Sequence, residues 1–181
     1  MNIIGRKVIL RAIEERDLTL IHQWSNAPEI NYMLGGWHFP SSSQDQLKWF
    51  SNISFNSLNQ RFAIDTVEYG TVGMINLVDI NWKDRRAFTG IVIGDMNLRG
   101  LGLGEDTINT MNKYAFEELG LNRLDSTIIS YNTPSINVYT QKCGWKVEGE
   151  KKNCYFRKNQ WWDEIIIGIT KEDYFESIND K

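Results

Sequence analysis

The chain has 181 residues, a length that suits one domain and can bury a sizeable core. Its net charge of -3 comes without any Lys/Arg-rich run, which argues against nucleic-acid and membrane-surface partners. The two cysteines, Cys143 and Cys154, fit neither a disulfide framework nor a zinc pattern, and no apolar run is long enough for a signal peptide or a membrane span, so a reduced, cytoplasmic protein without a metal site is expected.

Val8–Arg11 reads as the first strand. Glu14, Glu15 and Asp17 open a helix that runs through Ser25, with acidic residues at its positive dipole end and Leu18, Ile21 and Trp24 on one face. After a break at Asn26–Pro28 comes a short helix over Glu29–Met33. Leu34–Ser43, with Gly35, Gly36, Pro40 and three serines, reads as a loop that carries Trp37, His38 and Phe39. Ser42 or Ser43 can cap a helix from Gln44 to Asn52 with Leu47, Phe50 and Ile53 inward.

From Arg61 the pattern changes to strands. Phe62–Asp65 and Thr71–Asp79 read as an antiparallel pair about a turn near Glu68–Gly70, Trp82–Arg86 as a charged turn, and Phe88–Ile93 as the next strand. Asn97–Gly104 is a glycine-rich turn, followed by a helix from Glu105 to Leu119 that Gly120 ends. Leu124–Ile129 is a strand, and Asn132–Pro134 starts a helix that Gly144 closes after Cys143. Trp145–Glu148, Lys152–Lys158 and Glu164–Thr170 are the last strands. With no repeat and no linker, one mixed α/β domain over residues 1–181 is the simplest organisation.

The segment that carries chemistry is Arg99-Gly100-Leu101-Gly102-Leu103-Gly104, between a strand and a helix. Alternate glycines let backbone approach an anion closely, and the helix behind them offers unpaired N–H groups and a positive dipole end. A pyrophosphate suits that arrangement, and Arg99 can add a charge-assisted contact. The spacing is not that of a dinucleotide fold, and no Gly-Lys-Ser/Thr follows, which argues against a P-loop.

The run Arg99-x-x-Gly102-x-Gly104 resembles the pyrophosphate loop of the GNAT superfamily of acyl-CoA-dependent N-acetyltransferases. Asn132, Ser135-Ile136-Asn137-Val138-Tyr139 and Lys142-Cys143-Gly144-Trp145 resemble its second signature. Ile9-Leu10-Arg11 with Asp17-Leu18, Arg61-Phe62, Gly73, Arg85-Arg86-Ala87, Val147-Glu148-Gly149-Glu150 and Trp161-Trp162-Asp163-Glu164 resemble a branch that includes spermidine and ribosomal-protein N-terminal acetyltransferases. The resemblance implies an α/β (α+β) fold, a mixed and mostly antiparallel sheet of six to seven strands with helices on both faces. It implies an enzyme that acetylates a primary amine with acetyl-CoA, by direct attack of the amine on the thioester. Dimers are common in the resembled branch, so a homodimer is the assembly it suggests.

Carried over residue by residue, Ile91, Val92 and Ile93 would pair with the pantetheine arm, and Arg99, Gly100, Leu101, Gly102, Leu103 and Gly104 would hold the pyrophosphate. Asn132, Asn137, Tyr139 and Lys142 would complete the cofactor site, with Tyr139 as the acid that protonates the departing thiolate. Related enzymes often carry Glu just after the Arg-Ala pair, where this chain has Phe88. Asp79 is then the nearest carboxylate in sequence to act as base, with a water chain, His22, His38, Glu29 and Asp65 as alternatives.

Acceptor choice is expected in the first helices and their loop, with Trp24, Glu29, Tyr32, Trp37, His38 and Phe39 as contacts. These are mostly aromatic, where a polycation would call for carboxylates. That lowers the polyamine within the expected range, which is a small-molecule amine (an amino sugar, polyamine or antibiotic) or a peptide N-terminus. The competing reading is a non-catalytic acyl-CoA-binding module of the same fold, against which Tyr139 argues.

Overall fold

In the structure, a computed structural model that describes residues 1–36 and 39–179, eight strands join one sheet. They are β1 (Ile3–Ile4), β2 (Ile9–Ala12), β3 (Gln60–Thr66), β4 (Gly70–Asn81), β5 (Arg86–Ile93), β6 (Arg123–Ile129), β7 (Lys146–Arg157) and β8 (Gln160–Thr170). The order across the sheet is β1-β2-β3-β4-β5-β6-β8-β7, and every pairing is antiparallel except β5 with β6. The helices are α1 (Leu18–Ser25), α2 (Pro28–Tyr32), α3 (Ser43–Ser51), α4 (Leu103–Lys113), α5 (Thr133–Asn137) and α6 (Lys171–Asn179). Both α4 and α5 continue into a π-helical turn, Tyr114–Glu118 and Val138–Lys142.

Three features correct the reading of the sequence. The sheet has eight strands where six to seven were expected, because the two-residue β1 is too short to show a period. Trp145–Glu148 and Lys152–Lys158 are not separate strands: β7 runs through both, with irregular register at Val147/Gly149 and Lys151/Tyr155. Finally, α6 follows β8, buries only Tyr174, and begins on a reciprocal cap in which Thr170 Oγ1 accepts from Asp173 N at 3.1 Å and Thr170 N donates to Asp173 at 3.0 Å.

Alternation along the central strands divides the core in two. Ile64, Ile75 and Leu77 face a large cluster that α4 closes with Ile108 and Met111, joined by Phe116, Tyr139 and Trp145. The opposite face presents Ala63, Met74 and Val92, one row across β3, β4 and β5, and α1 and α2 cover it with Ile21, Trp24 and Ile30. Helices thus lie on both faces, as expected. Gly94 makes the second layer possible: a Cβ there would lie 2.0 Å from a Trp24 ring carbon.

Asp17 is more than a favourable dipole charge. It is 1% exposed and binds Arg11 through both oxygens, at 2.7 and 2.9 Å, while Arg11 Nε donates to Asp65 at 2.6 Å. Burial opposes ionisation of Asp17, but Arg11, the Glu14 N–H and Thr71 outweigh it and hold the carboxyl down at about 2.

Candidate active site

The parallel pair β5–β6 is short. It holds at Arg86↔Arg123, Ala87↔Leu124 and Phe88↔Asp125 and then parts. Beyond that point Thr89–Ile93 pairs only with β4, and Ser126–Ile129 only with β8. One edge of β5 over Ile91, Val92 and Ile93 therefore faces an opening with ladder groups free to bind an extended ligand. At the point of divergence the Asn76 side chain enters the ladder: its Oδ1 accepts from Gly90 N at 2.8 Å, and its carbonyl accepts from Thr89 Oγ1 at 2.7 Å.

A cavity of about 230 Å³ opens on this edge. It gathers Ile91, Val92, Ile93, Arg99, Gly100, Gly102, Leu103, Gly104, Asn132, Tyr139 and Lys142, which are far apart in sequence. Gly100 and Gly102 have φ of 81° and 79°, conformations that carry the chain into α4 with Gly102 at its N-cap. A Cβ on Gly100 or Gly104 would meet nothing within 4 Å, so the turn lies open to a ligand. Asp106, in the first turn of α4, accepts from the backbone of Arg6, Lys7 and Val8, and Lys7 Nζ donates to Leu101 O at 2.7 Å. The link between β1 and β2 thereby fixes the turn, a role the sequence alone did not reveal. Of the expected cofactor contacts, Leu101 and Asn137 line neither this cavity nor its neighbour: both are exposed, Leu101 on the crest of the turn. Lys142 lines the cavity and pairs with Glu105 at 3.3 Å.

Tyr139 stands where this cavity meets a second one of about 820 Å³. It lies in the π-helical turn after α5, an irregularity that recurs at functional sites. Its ring is 2% exposed and packs edge-on against Trp145 at 4.9 Å. Burial pushes the phenol well above its ordinary pKa; the Cys143 thiol adds to this and Ser126 tempers it. The hydroxyl makes no geometrically good hydrogen bond among the described residues. It is thus a protonated donor beside Ser126 with no well-formed hydrogen bond of its own. Asn132 joins the two cavities: Oδ1 accepts from Ser135 N to cap α5, and Nδ2 donates to Met33 O at 3.2 Å.

The second cavity lies over the α1–α3 face, with Ser25, Gly35, Gly36, Asp45, Gln46, Trp49, Arg61, Asn76, Phe88 and Tyr155 in its wall. Most of these residues escaped the sequence reading. Of the residues expected inward in and just after α3, Phe50 and Ile53 pack against the core, but Leu47 is 52% exposed, and Gln46 and Trp49 line the cavity. Of the expected acceptor contacts, Trp24 is a core residue against Gly94, Glu29 and Phe39 are exposed, and Tyr32 stacks on Tyr131 at 4.6 Å. None of these four lines either cavity. Trp37 and His38 lie outside the described residues. Asp79 lines neither cavity: it is exposed, with φ of 51°, in the irregular stretch between Val78 and Asn81. Of the alternatives, His22 Nε2 bonds Ser41 O at 2.8 Å, and Asp65 is paired with Arg11.

Residues 7–146 match the model of the Acetyltransferase (GNAT) domain family. The chain belongs to the GNAT acetyltransferases. It is an N-acetyltransferase, and acetyl-CoA is its acetyl donor. Relatives align over nearly the whole chain. The SPbeta prophage-derived uncharacterized N-acetyltransferase YokL of Bacillus subtilis is 26% identical over 170 residues, covering 94% of this chain and 93% of the relative. Spermidine N(1)-acetyltransferase of Vibrio cholerae is 27% identical over 172 residues, 94% and 97% of the two chains. The crystal structure of the Vibrio cholerae spermidine N-acetyltransferase in complex with CoA and spermine superposes with a TM-score of 0.85 at 23% identity, covering 93% of this chain and 98% of the other. That likeness shows the same fold.

Proposed function

We propose that this GNAT enzyme binds acetyl-CoA along the free edge of β5 and transfers the acetyl group directly to a primary amine that enters from the larger cavity. The observation that carries this reading is Tyr139, a buried, protonated and unpartnered phenol at the junction of the two cavities. The thioester supplies the activated acyl group, and the protein's own residues supply position and a proton. Backbone N–H groups of Gly102–Glu105, before the first repeat of α4 is complete, meet the pyrophosphate with Arg99 beside them. Ile91–Ile93 align the pantetheine as an added strand. The amine nitrogen forms its bond to the acetyl carbon, the C–S bond breaks, and Tyr139 donates its proton to the leaving thiolate.

The amine proton leaves by water. Asp45, the one carboxylate among the described residues of the larger cavity's wall, already accepts from Ser42 Oγ at 2.6 Å, and that cavity is open to solvent. The acceptor is a small-molecule amine or a peptide N-terminus. A cytoplasmic location suits the free thiols Cys143 and Cys154, and a homodimer is the proposed assembly. Calorimetric titration with acetyl-CoA, with ATP and NAD as controls, tests the donor site. Micromolar binding of acetyl-CoA alone is the expected result, and no binding up to about a millimolar refutes it.

A further inference from the structure

The larger cavity holds groups that amine acetylation alone does not require. Arg61 on β3, Asn76 on β4 and Gly90 on β5 form one row across the sheet, on the face of Ala63, Met74 and Val92. Helix α3 lies above them with Gln46 and Trp49 one turn apart. Arg61 is half-buried, and among the described residues its guanidinium has no carboxylate or hydrogen-bond partner; it rests 6.0 Å from the Trp49 ring centroid. Gln46 is 7% exposed, lines the same space, and its side-chain amide has no partner among the described residues. Both groups face the open cavity, where their donors are free to meet a ligand.

The charges in the wall are equally uneven. Its carboxylate, Asp45, is occupied by both the hydroxyl and the N–H of Ser42. Phe88, on the same face of β5, supplies no charge. A polyamine would meet an uncompensated guanidinium and only one, already engaged, carboxylate. We infer that the preferred acceptor is a primary amine that also carries an anionic oxygen group, a phosphate or a carboxylate, bound by Arg61 and Gln46. The planar guanidinium matches either group bidentately. Arg61 and the reaction edge at Gly90 lie two strands apart, about 10 Å. The anion and the amine of the acceptor should therefore be separated by a distance on that order, too far for a free α-amino acid.

This inference rests on the acetyltransferase reading, and one experiment separates the two. Free thiol is measured at saturating acetyl-CoA with spermidine, glucosamine, glucosamine 6-phosphate, a C-terminally amidated peptide with an acidic third residue, and the same peptide with Ala there. The expected result is a kcat/KM at least about tenfold higher for one anion-bearing amine than for its uncharged parent. Whether phosphate or carboxylate gains more tells the two sources apart. Arg61→Gln should reduce that advantage to about twofold or less through the acceptor KM, with acetyl-CoA affinity by calorimetry unchanged, and Arg61→Lys should retain part of it. Gln46→Leu should lower the same ratio by a smaller factor. A preference for spermidine or an uncharged parent, a panel in which no anion-bearing amine turns over, or an Arg61→Gln that lowers every acceptor equally overturns the inference while acetyl-CoA still binds. Loss of acetyl-CoA binding by the wild type would instead remove the acetyltransferase reading. If Arg61→Gln does not fold, the wild-type preference and Arg61→Lys decide.

Discussion

Replacing Tyr139 with Phe separates catalysis from folding. The phenol is 2% exposed, and its hydroxyl has no good partner among the described residues, so its removal leaves no other group unsatisfied. The ring and its edge-on contact with Trp145 are retained. Stability should change by no more than about 1 kcal/mol, or about 2–4 °C in Tm for a chain of this size. Acetyl-CoA affinity should stay within about twofold, because the hydroxyl is asked to meet a charge that develops only as the thiolate leaves. Loss of a positioned acid costs about 10²–10⁴ in rate, so kcat should fall by at least about a hundredfold. Burial holds the phenol protonated across the usable pH range, so Tyr139 should impose no alkaline loss of kcat. The acid limb of kcat/KM should instead follow deprotonation of the acceptor amine. Steady-state assay with a thiol reagent, calorimetry and thermal melts together test this. A kcat within about threefold of wild type would refute the role, and a fall in Tm well beyond 4 °C would show that the hydroxyl supports the fold.

Asp17→Asn leaves the buried Arg11 guanidinium with Asp65 as its only carboxylate, and should destabilise by about 3 kcal/mol or more, visible in a denaturant melt. The Asp17 carboxyl, at about 2 in the folded chain against about 3.9 unfolded, contributes stability in full above pH 4, worth about 2–3 kcal/mol and lost as pH falls toward 2; Asp17→Asn should flatten that part of the acid-unfolding curve. Gly94→Ala would set a Cβ 2.0 Å from the Trp24 ring, and should cost about 1–3 kcal/mol by overpacking, read as a lower Tm. Acetyl-CoA at about a hundred times its Kd should raise the wild-type Tm by about 5–10 °C, from about 2.7 kcal/mol of linkage; Arg99→Ala should need several-fold more ligand for the same rise.

The sheet was largely legible in the sequence, and so was the set of residues that the structure gathers at the smaller cavity, because their signals are local. Runs rich in Ile and Val mark β4 and β5, and the glycines of 100–104 announce a turn, which the structure forms with positive φ at Gly100 and Gly102. Asn132 and Tyr139 belong to one contiguous segment, so their resemblance to a signature could be carried over together. What the sequence did not disclose depends on pairing across distance. Asp106 caps the backbone of Arg6–Val8 about a hundred positions away, and nothing in either segment points to the other. Asp17 read as a helix-start acid, whereas its partner is set by the fold.

The acceptor wall shows why composition misled there. The aromatics of the first helices suggested a stacking site, yet Trp24 fills the core against Gly94 and Tyr32 is occupied by Tyr131, which also donates to the Tyr32 carbonyl. The cavity is lined instead by residues whose types carry no pattern, Gln46 and Arg61 among them. In α3 the Gln46–Trp49 spacing is as helical as Leu47–Phe50, so periodicity alone placed Phe50 inward but could not show that Gln46 and Trp49, rather than Leu47, face the cavity. The choice follows from the sheet beneath: Ala63, Met74 and Val92 receive Phe50 and Ile53, and one row further on Arg61, Asn76 and Gly90 leave space. In that row the small Gly90 lies between the polar side chain of Asn76 and the parted edge of β5, so one surface joins Arg61 and Gln46 to the edge proposed for the thioester. Substitutions at Arg61 and Gln46, which line only the larger cavity, should therefore change the amine accepted while leaving the proposed pyrophosphate turn before α4 undisturbed.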